Sequence, residues 1–511
     1  MPPDTSAPKA AIARTAARAK APKCLSPTVG LAPGHVQVRM YRQGLGDCFL
    51  VSIGRADKPP FRMMVDCGVL LGTGGKESLM QNAVRNIAQT TKGALDVLAV
   101  THEHYDHVSG FVLAKAEFDG GTDANPTGLK ARETWFAWTE DPDDPLGQRI
   151  RKARTDRIEK LQGLVQAMGA RPSYPDLAED INGILDFFGA AGNRQGDTVK
   201  GMEKARQLGV KTCYLRPDQP PRELPDLPGI RVWALGPPRD EALLRKTFAR
   251  DAVYHLAGGG DCGAAALFGA AGLRGDQSRS GDRWAPFDAA YCHPLHAPPD
   301  GKRPSRSAEA FLYDHYWGSA DDPQHPDQDW RRIGEDWLGS ASDFALQLDA
   351  ATNNTSLVLA IEGIKSGKVL LLAADAQVGN WQSWKDLSWT VEGRTVTGPE
   401  LLARTVFYKV SHHGSQNATL DAGGLELMPD GLVAFLPVDH EMAVCKHWDD
   451  MPLPGLLDAL GRKCGGQVVR MDKPFPDALG GAKAAAHFPL RDPDCPGLDG
   501  PLYYQWEASL A

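Results

Sequence analysis

Apolar positions fall in short runs divided by Gly-, Pro- and Asp-rich breaks, with a few longer stretches at helical spacing. Val36-Gln37-Val38-Arg39-Met40-Tyr41 alternates as a half-buried strand, Gly44-Leu45-Gly46-Asp47 is a turn, and residues 48–53 read as the returning strand. Residues 62–65 form another strand, ending at Asp66-Cys67-Gly68. Leu95-Asp96-Val97-Leu98-Ala99-Val100 has the near-continuous apolar character of a buried strand. Further strands are predicted at 134–138, 229–236 (stopped by Pro237-Pro238), 357–361, 368–372, 406–410 and 432–436. Helices are predicted over 76–91, over an amphipathic 145–168, and over 177–189, 197–208 and 454–462. Residues 239–350 read as irregular, and the segment beyond Asp472 as one short strand among loops. Interleaved strands and helices give an α/β (α+β) class.

Composition narrows this only a little. The 511 residues are 42% hydrophobic and 23% charged, enough for a large core. A net charge of −8 argues against a nucleic-acid-coating surface. No apolar run is long enough to span a bilayer. Nine cysteines without a C-x-x-C pair point to a reducing, cytoplasmic setting. Residues 1–35, with Lys9, Arg14, Arg18, Lys20 and Lys23 against Asp4 alone, lack an apolar signal core and read as a disordered tail.

The candidate chemistry is concentrated in one stretch. Directly after the 95–100 strand comes Thr101-His102-Glu103-His104-Tyr105-Asp106-His107. Side chains in an extended segment repeat every second residue, so His102 and His104 point the same way. Asp106 is placed to cap a helix starting at Val108 while staying beside His107. Two imidazoles followed by a carboxylate–imidazole pair suit two adjacent divalent ions better than one. Later come Asp375, at the end of a buried strand where an unpaired carboxylate is costly, and Ser411-His412-His413-Gly414-Ser415. His255, His293, His296, His315 and His325 lack ligand spacing and read as loop histidines.

The His-x-His-x-Asp-His order resembles the signature of the metallo-β-lactamase-fold hydrolases. The Gly-x-Gly-Asp turn at 44–47, Asn-Asn-Thr-Ser-Leu-Val-Leu at 353–359, Ala-Asp-Ala at 374–376 and His-His-Gly-Ser at 412–415 are similar to the hydrolase domain of competence DNA-uptake (ComEC-type) proteins. The double histidine also looks like that of phosphorylcholine-esterase-like phosphodiesterases. The likeness covers about 36–110 and 350–460. It implies a four-layer αββα sandwich with large helical and loop insertions, a hydrolase domain over 36–475 with insertions at about 140–225 and 239–350, and a C-terminal extension over 476–511. By the same resemblance Asp66 braces the metal loop without binding metal. One ion takes His102, His104 and one of His412 and His413, the other takes Asp106, His107 and His447 (with His440 as rival), and Asp375 bridges them.

The implied activity is that of a dinuclear metal-dependent hydrolase. Asp106, His412 and His413 take part in catalysis, with Lys409 or Ser415 as further hydrogen-bond donors to the substrate. The metal-bridging hydroxide would attack a phosphoester or phosphodiester, in a small molecule or a nucleic acid. Imidazole-rich ligation makes zinc the default ion and manganese the alternative. Two other readings stand beside it: a metal-bound interaction protein without catalysis, and a lactonase or β-lactamase-type hydrolase.

Overall fold

The computed structural model describes residues 31–121, 127–169, 181–190, 196–224, 226–246, 307–317, 328, 339–479 and 501–511. Residues 1–30 of the predicted 1–35 tail lie outside them, as do His255, His293, His296, His325, part of the 177–189 helix and most of the stretch from 247 to 338.

Two seven-stranded mixed sheets form the frame. The first has the order β16 (Tyr503–Ser509), β1 (His35–Tyr41), β2 (Phe49–Ile53), β3 (Phe61–Val65), β4 (Ala94–Ala99), β5 (Lys130–Ala137), β6 (Gly209–Leu215). The second has the order β15 (Val468–Arg470), β14 (Val433–Leu436), β13 (Thr405–Lys409), β10 (Val369–Leu372), β9 (Val358–Gly363), β8 (Ile230–Gly236), β7 (Arg222–Glu223). A separate hairpin pairs β11 (Ser388–Val391) with β12 (Arg394–Thr397). The two sheets repeat one plan. From β16 to β3, and from β7 to β10, every pairing is antiparallel; from β3 to β6, and from β10 to β15, every pairing is parallel.

The strands read as continuous apolar runs because both faces are buried, each against a different partner. Val36, Val38, Phe49, Val51 and Met63 join Leu359, Ile361, Leu370, Phe407 and Phe435 in a core shared by both sheets. Their neighbours face the other way. Leu50, Met64 and Leu98 pack on Val84 and Ile87 of the Lys76–Thr91 helix and on Met202 and Ala205 of the Asp197–Leu208 helix. Ala360, Leu371, Tyr408 and Ala434 pack with Trp381 and with Leu456 and Leu460 of the Pro454–Lys463 helix.

Several elements depart from the sequence reading. The supposedly irregular 239–350 stretch contains the helices Ser307–Tyr316 and Gly339–Asn353. The second was hidden because Asp349 and Asn353, four residues apart, put polar groups on a buried face, breaking the usual amphipathic pattern. Strand β6 was missed because its Val210 and Lys211 are exposed at the sheet edge. Part of the 476–511 stretch is no appendage: β16 pairs with β1 along all seven of its residues. No helix among the described residues is long and apolar enough to cross a membrane.

Candidate metal centre

Parallel strands present their carboxyl ends on one edge, where backbone groups and loop side chains converge. Here β3 ends at Asp66, β4 leads into His102–His107, β10 leads into Asp375, and β13 leads into His412 and His413. Three loops are laced together by their backbones: Asp47 N–H donates to Asp106 O (3.0 Å), Gly68 N–H to Asp47 O (2.9 Å) and Cys67 N–H to His107 O (2.8 Å). The approach is so close that a Cβ on Gly68 would stand 2.1 Å from the Asp106 carbonyl carbon. Several non-glycine residues at this edge adopt left-handed φ: Asp66 (54°), Ala374 (50°), His412 (39°) and His413 (52°). Such conformations persist only where surrounding contacts enforce them, and they cluster at functional sites.

Asp47, His107, Asp375 and His413 are all buried, with one potential ligand atom from each lying within 4.8 Å of the others. Asp106 adjoins this group: its Oδ2 is 2.9 Å from His413 Nε2 and 3.6 Å from His107 Nε2. Asp375 Oδ2 lies 2.9 Å from His107 Nε2 and 3.3 Å from His413 Nε2. Burial opposes protonation of His413, but the Asp375 and Asp106 carboxylates outweigh it and hold the imidazole up at about 10. For His107, too, neighbouring carboxylates, Asp375 first, overcome burial and raise the imidazole well above its ordinary range. The positive charges of His107, His413 and Lys409 in turn hold Asp375 well below the usual carboxylate range despite its burial.

The far sides of the rings are fixed. Asp66 accepts from Thr101 N–H (2.8 Å), from the Thr101 hydroxyl (2.7 Å) and from His107 Nδ1–H (2.9 Å). Because that hydroxyl gives its proton to Asp66, its lone pair is left for His102 Nδ1–H at 3.1 Å. His102 Nε2 then carries a bare lone pair. His413 Nδ1–H donates to Pro437 O at 2.6 Å, so its Nε2 likewise faces inward. Outer hydrogen bonds of this kind set the tautomer of ligating imidazoles.

Beside this group lies a second set of buried atoms. His102 Nε2, both nitrogens of His104, Asp106 Oδ1 and Asp349 Oδ1 have no hydrogen-bond partner among the described residues. Buried polar groups are rarely left so, and orphans grouped together mark a place for an ion or ordered solvent. His104 packs against Phe187 and Phe188 (ring centroids 5.5 and 4.7 Å), and burial pushes its imidazole down to about 3.

Several residues are placed differently from the sequence reading. Asp106 lies within the first turn of the helix Tyr105–Val108 and does not cap it; its carboxylate turns to His413 instead. His413 stands with Asp106 and Asp375, not with the His-x-His pair. His412 has both ring nitrogens engaged, Nε2 3.1 Å from the Asn353 amide nitrogen and Nδ1 2.9 Å from that of Gln377 and against the Ser415 hydroxyl. His447 is exposed and outside the four-residue group, between Lys446 (paired with Asp186) and Trp448 (stacked on Phe187). Its rival His440 is 2.8 Å from Met451 O through Nδ1. Lys409 does not reach toward a substrate. Its buried ammonium donates to Asp47 Oδ2 (2.6 Å), Asp375 Oδ1 (3.1 Å) and Ala374 O (2.7 Å).

Sequence reasoning missed Asp47, Thr101 and Asp349 as members of the site. Asp47 had a signal, the Gly-x-Gly-Asp turn, read as a turn and as part of the family resemblance but given no role at the centre. Neither a scan against protein-family models nor a search of curated proteins finds a match for the chain.

Proposed function

We propose that this chain is a dinuclear metal-dependent hydrolase of metallo-β-lactamase type, a four-layer αββα sandwich acting on phosphoesters or phosphodiesters. The observation that carries the reading is the convergence of buried carboxylates and inward-facing imidazoles, with orphaned atoms, at the carboxyl ends of strands from both sheets. The residues fit such ions. Asp106, His107, His413 and Asp375 would hold one ion, and His102 and His104 part of a second. When bound, two divalent ions supply Lewis acidity and lower the pKa of a shared water.

The chain's own groups prepare the site. Lys409 holds Oδ1 of Asp375, so Oδ2 is left for the centre. Asp66 and Pro437 O keep the imidazole lone pairs aimed inward. His412 retains 6% exposure where His102, His104, His107 and His413 have 0–1%, which marks its side as the approach for substrate. Both its ring nitrogens are engaged, so any proton it exchanges with a leaving group passes through the Ser415 hydroxyl at Nδ1. A donor set of four imidazoles and two carboxylates, without a thiolate, suits zinc first and manganese second.

The test is metal analysis of the purified full chain, followed by hydrolysis of bis(p-nitrophenyl) phosphate, single-stranded nucleic acid, lactones and a β-lactam. Two equivalents of metal with chelator-sensitive phosphodiester cleavage are expected. Full occupancy without turnover on any of these would favour the interaction-protein reading, and turnover confined to lactones or lactams would overturn the phosphoester assignment.

A further inference from the structure

Among the described residues, none of the imidazoles around the His-x-His pair is left to serve as its third ligand. His413 is committed to Asp106 and Asp375, and both nitrogens of His412 are engaged by Asn353, Gln377 and Ser415. We infer that Asp349 supplies the missing donor, so that His102, His104 and Asp349 hold the second divalent ion; this rests on the dinuclear reading above.

Three observations support the assignment. Asp349 Oδ1 and His104 Nε2 are both buried and unpartnered, and they lie 3.8 Å apart. Two donors bound at about 2.0–2.2 Å in a tetrahedral shell stand roughly 3.4 Å from each other, so a small closure brings these two to ligand spacing. The carboxylate is also aimed. Asn353, one helical turn on, donates through Nδ2 to Asp349 Oδ2 at 2.9 Å and leaves Oδ1 for the site. Finally, Asp47, Asp66, Asp106, Asp349 and Asp375 are all buried; among the described residues Lys409 alone brings a buried ammonium, and the His107 and His413 imidazoles are taken by Asp66, Asp375 and Asp106. A buried carboxylate needs a cation or hydrogen-bond donors, and Lys409 spends its three donors on Asp47, Asp375 and Ala374 O. A divalent ion at His102 and His104 supplies what Asp349 lacks. The resulting set of two imidazoles and a carboxylate keeps open positions, as catalytic metal sites require.

The experiment is metal titration of the full chain, wild type against Asp349→Asn and Asp349→Ala. Each protein is equilibrated with buffered free zinc, and bound metal is counted by mass spectrometry. Circular dichroism confirms that each variant is folded. Wild type is expected to bind two equivalents. Both variants should keep one ion at near wild-type affinity and bind the other at least ~100-fold more weakly, beyond the 10–100-fold typical of losing an outer-sphere partner. Cobalt substitution provides a readout independent of turnover: the absorption of one ion should persist and that of the other should be lost. Variants that retain two ions at unchanged affinity overturn the proposal even if turnover falls, because Asp349 would then act on substrate rather than metal. Loss of both ions also overturns it, since the claim concerns one position. A wild type that binds one ion or none refutes the dinuclear reading itself and is seen before any variant is made.

Discussion

Replacing Lys409 by Met tests whether a fixed cation holds the centre together before any metal arrives. The Lys409 ammonium is 2% exposed and sits 2.6 Å from Asp47 and 3.1 Å from Asp375. Met is similar in length and apolar, so the volume is nearly kept and the charge is lost. Removing one partner of a buried ion pair leaves an uncompensated charge and costs about 3–5 kcal/mol. Here Asp47 loses its ammonium partner while Asp375 keeps the His107 and His413 imidazoles, so the middle of that range is expected for metal-free protein. That lowers the ratio of folded to unfolded molecules by a factor of ~10³, against a total stability of about 5–15 kcal/mol. Divalent ions beside Asp375 would take over part of the compensation, so the loss should be smaller in loaded protein. Urea titrations with chelator and with saturating zinc measure both losses, provided the slopes of wild type and variant agree. Adding Asp47→Asn should recover part of the loss, because one stranded charge is then gone. A metal-free loss below about 1 kcal/mol, or equal losses with and without metal, would refute the role given to Lys409.

Asp66→Ala removes the acceptor that orients His107 directly and His102 through Thr101. Metal affinity should fall 10–100-fold in competition with a chromophoric chelator, and an unchanged affinity would remove Asp66 from the site. Gly68→Ala drives a methyl group into the Asp106–His107 backbone. A destabilisation of at least about 2 kcal/mol with loss of metal is expected, and a fully loaded variant of wild-type stability would contradict the packing. Burial holds His104 at about 3 and His412 at about 4, below the ordinary 6.5, so the unfolded chain binds more protons than the folded one across that interval. These two residues therefore contribute less to metal-free stability as pH drops from 6.5 toward 4, while the Glu103 carboxyl, raised by burial to about 7, contributes more. The raised His413 contributes the opposite way: its stabilisation is complete below 6.5 and lost as pH rises through about 10. Urea midpoints of metal-free wild type are compared with those of His104→Gln and His412→Gln, and a wild-type advantage that does not shrink between pH 6.5 and 4 would count against neutral, buried His104 and His412.

The parts of the fold legible in the sequence were those whose signal is local. The stretch 101–107 announced itself because four donor side chains follow an apolar strand, and Asp66 and Asp375 because a carboxylate ends a buried run. What escaped depends on pairing across the chain. Lys409 looked like a donor for substrate because nothing local shows that Asp47, far away in sequence, waits 2.6 Å from its ammonium. Thr101 carries no ligand atom; its importance lies in relaying Asp66 to His102. Asp349 sits in a helix whose polar residues face inward, so helical periodicity worked against its detection. The partition of His412 and His413 was out of reach, because the left-handed backbone at both residues decides where each ring points.

Strand β16 has a consequence for how the molecule is made. It pairs along the whole of β1, and the Arg39–Gln505 contact between them joins residues 466 positions apart. Until Tyr503–Ser509 has left the ribosome, one margin of the first sheet remains an open row of unpaired amides and carbonyls, a template for pairing with another chain. Contacts this distant in sequence form slowly. Nascent or truncated chains that lack β16 should therefore be the aggregation-prone species, and chaperone demand should peak before synthesis of that segment rather than at assembly of the metal site.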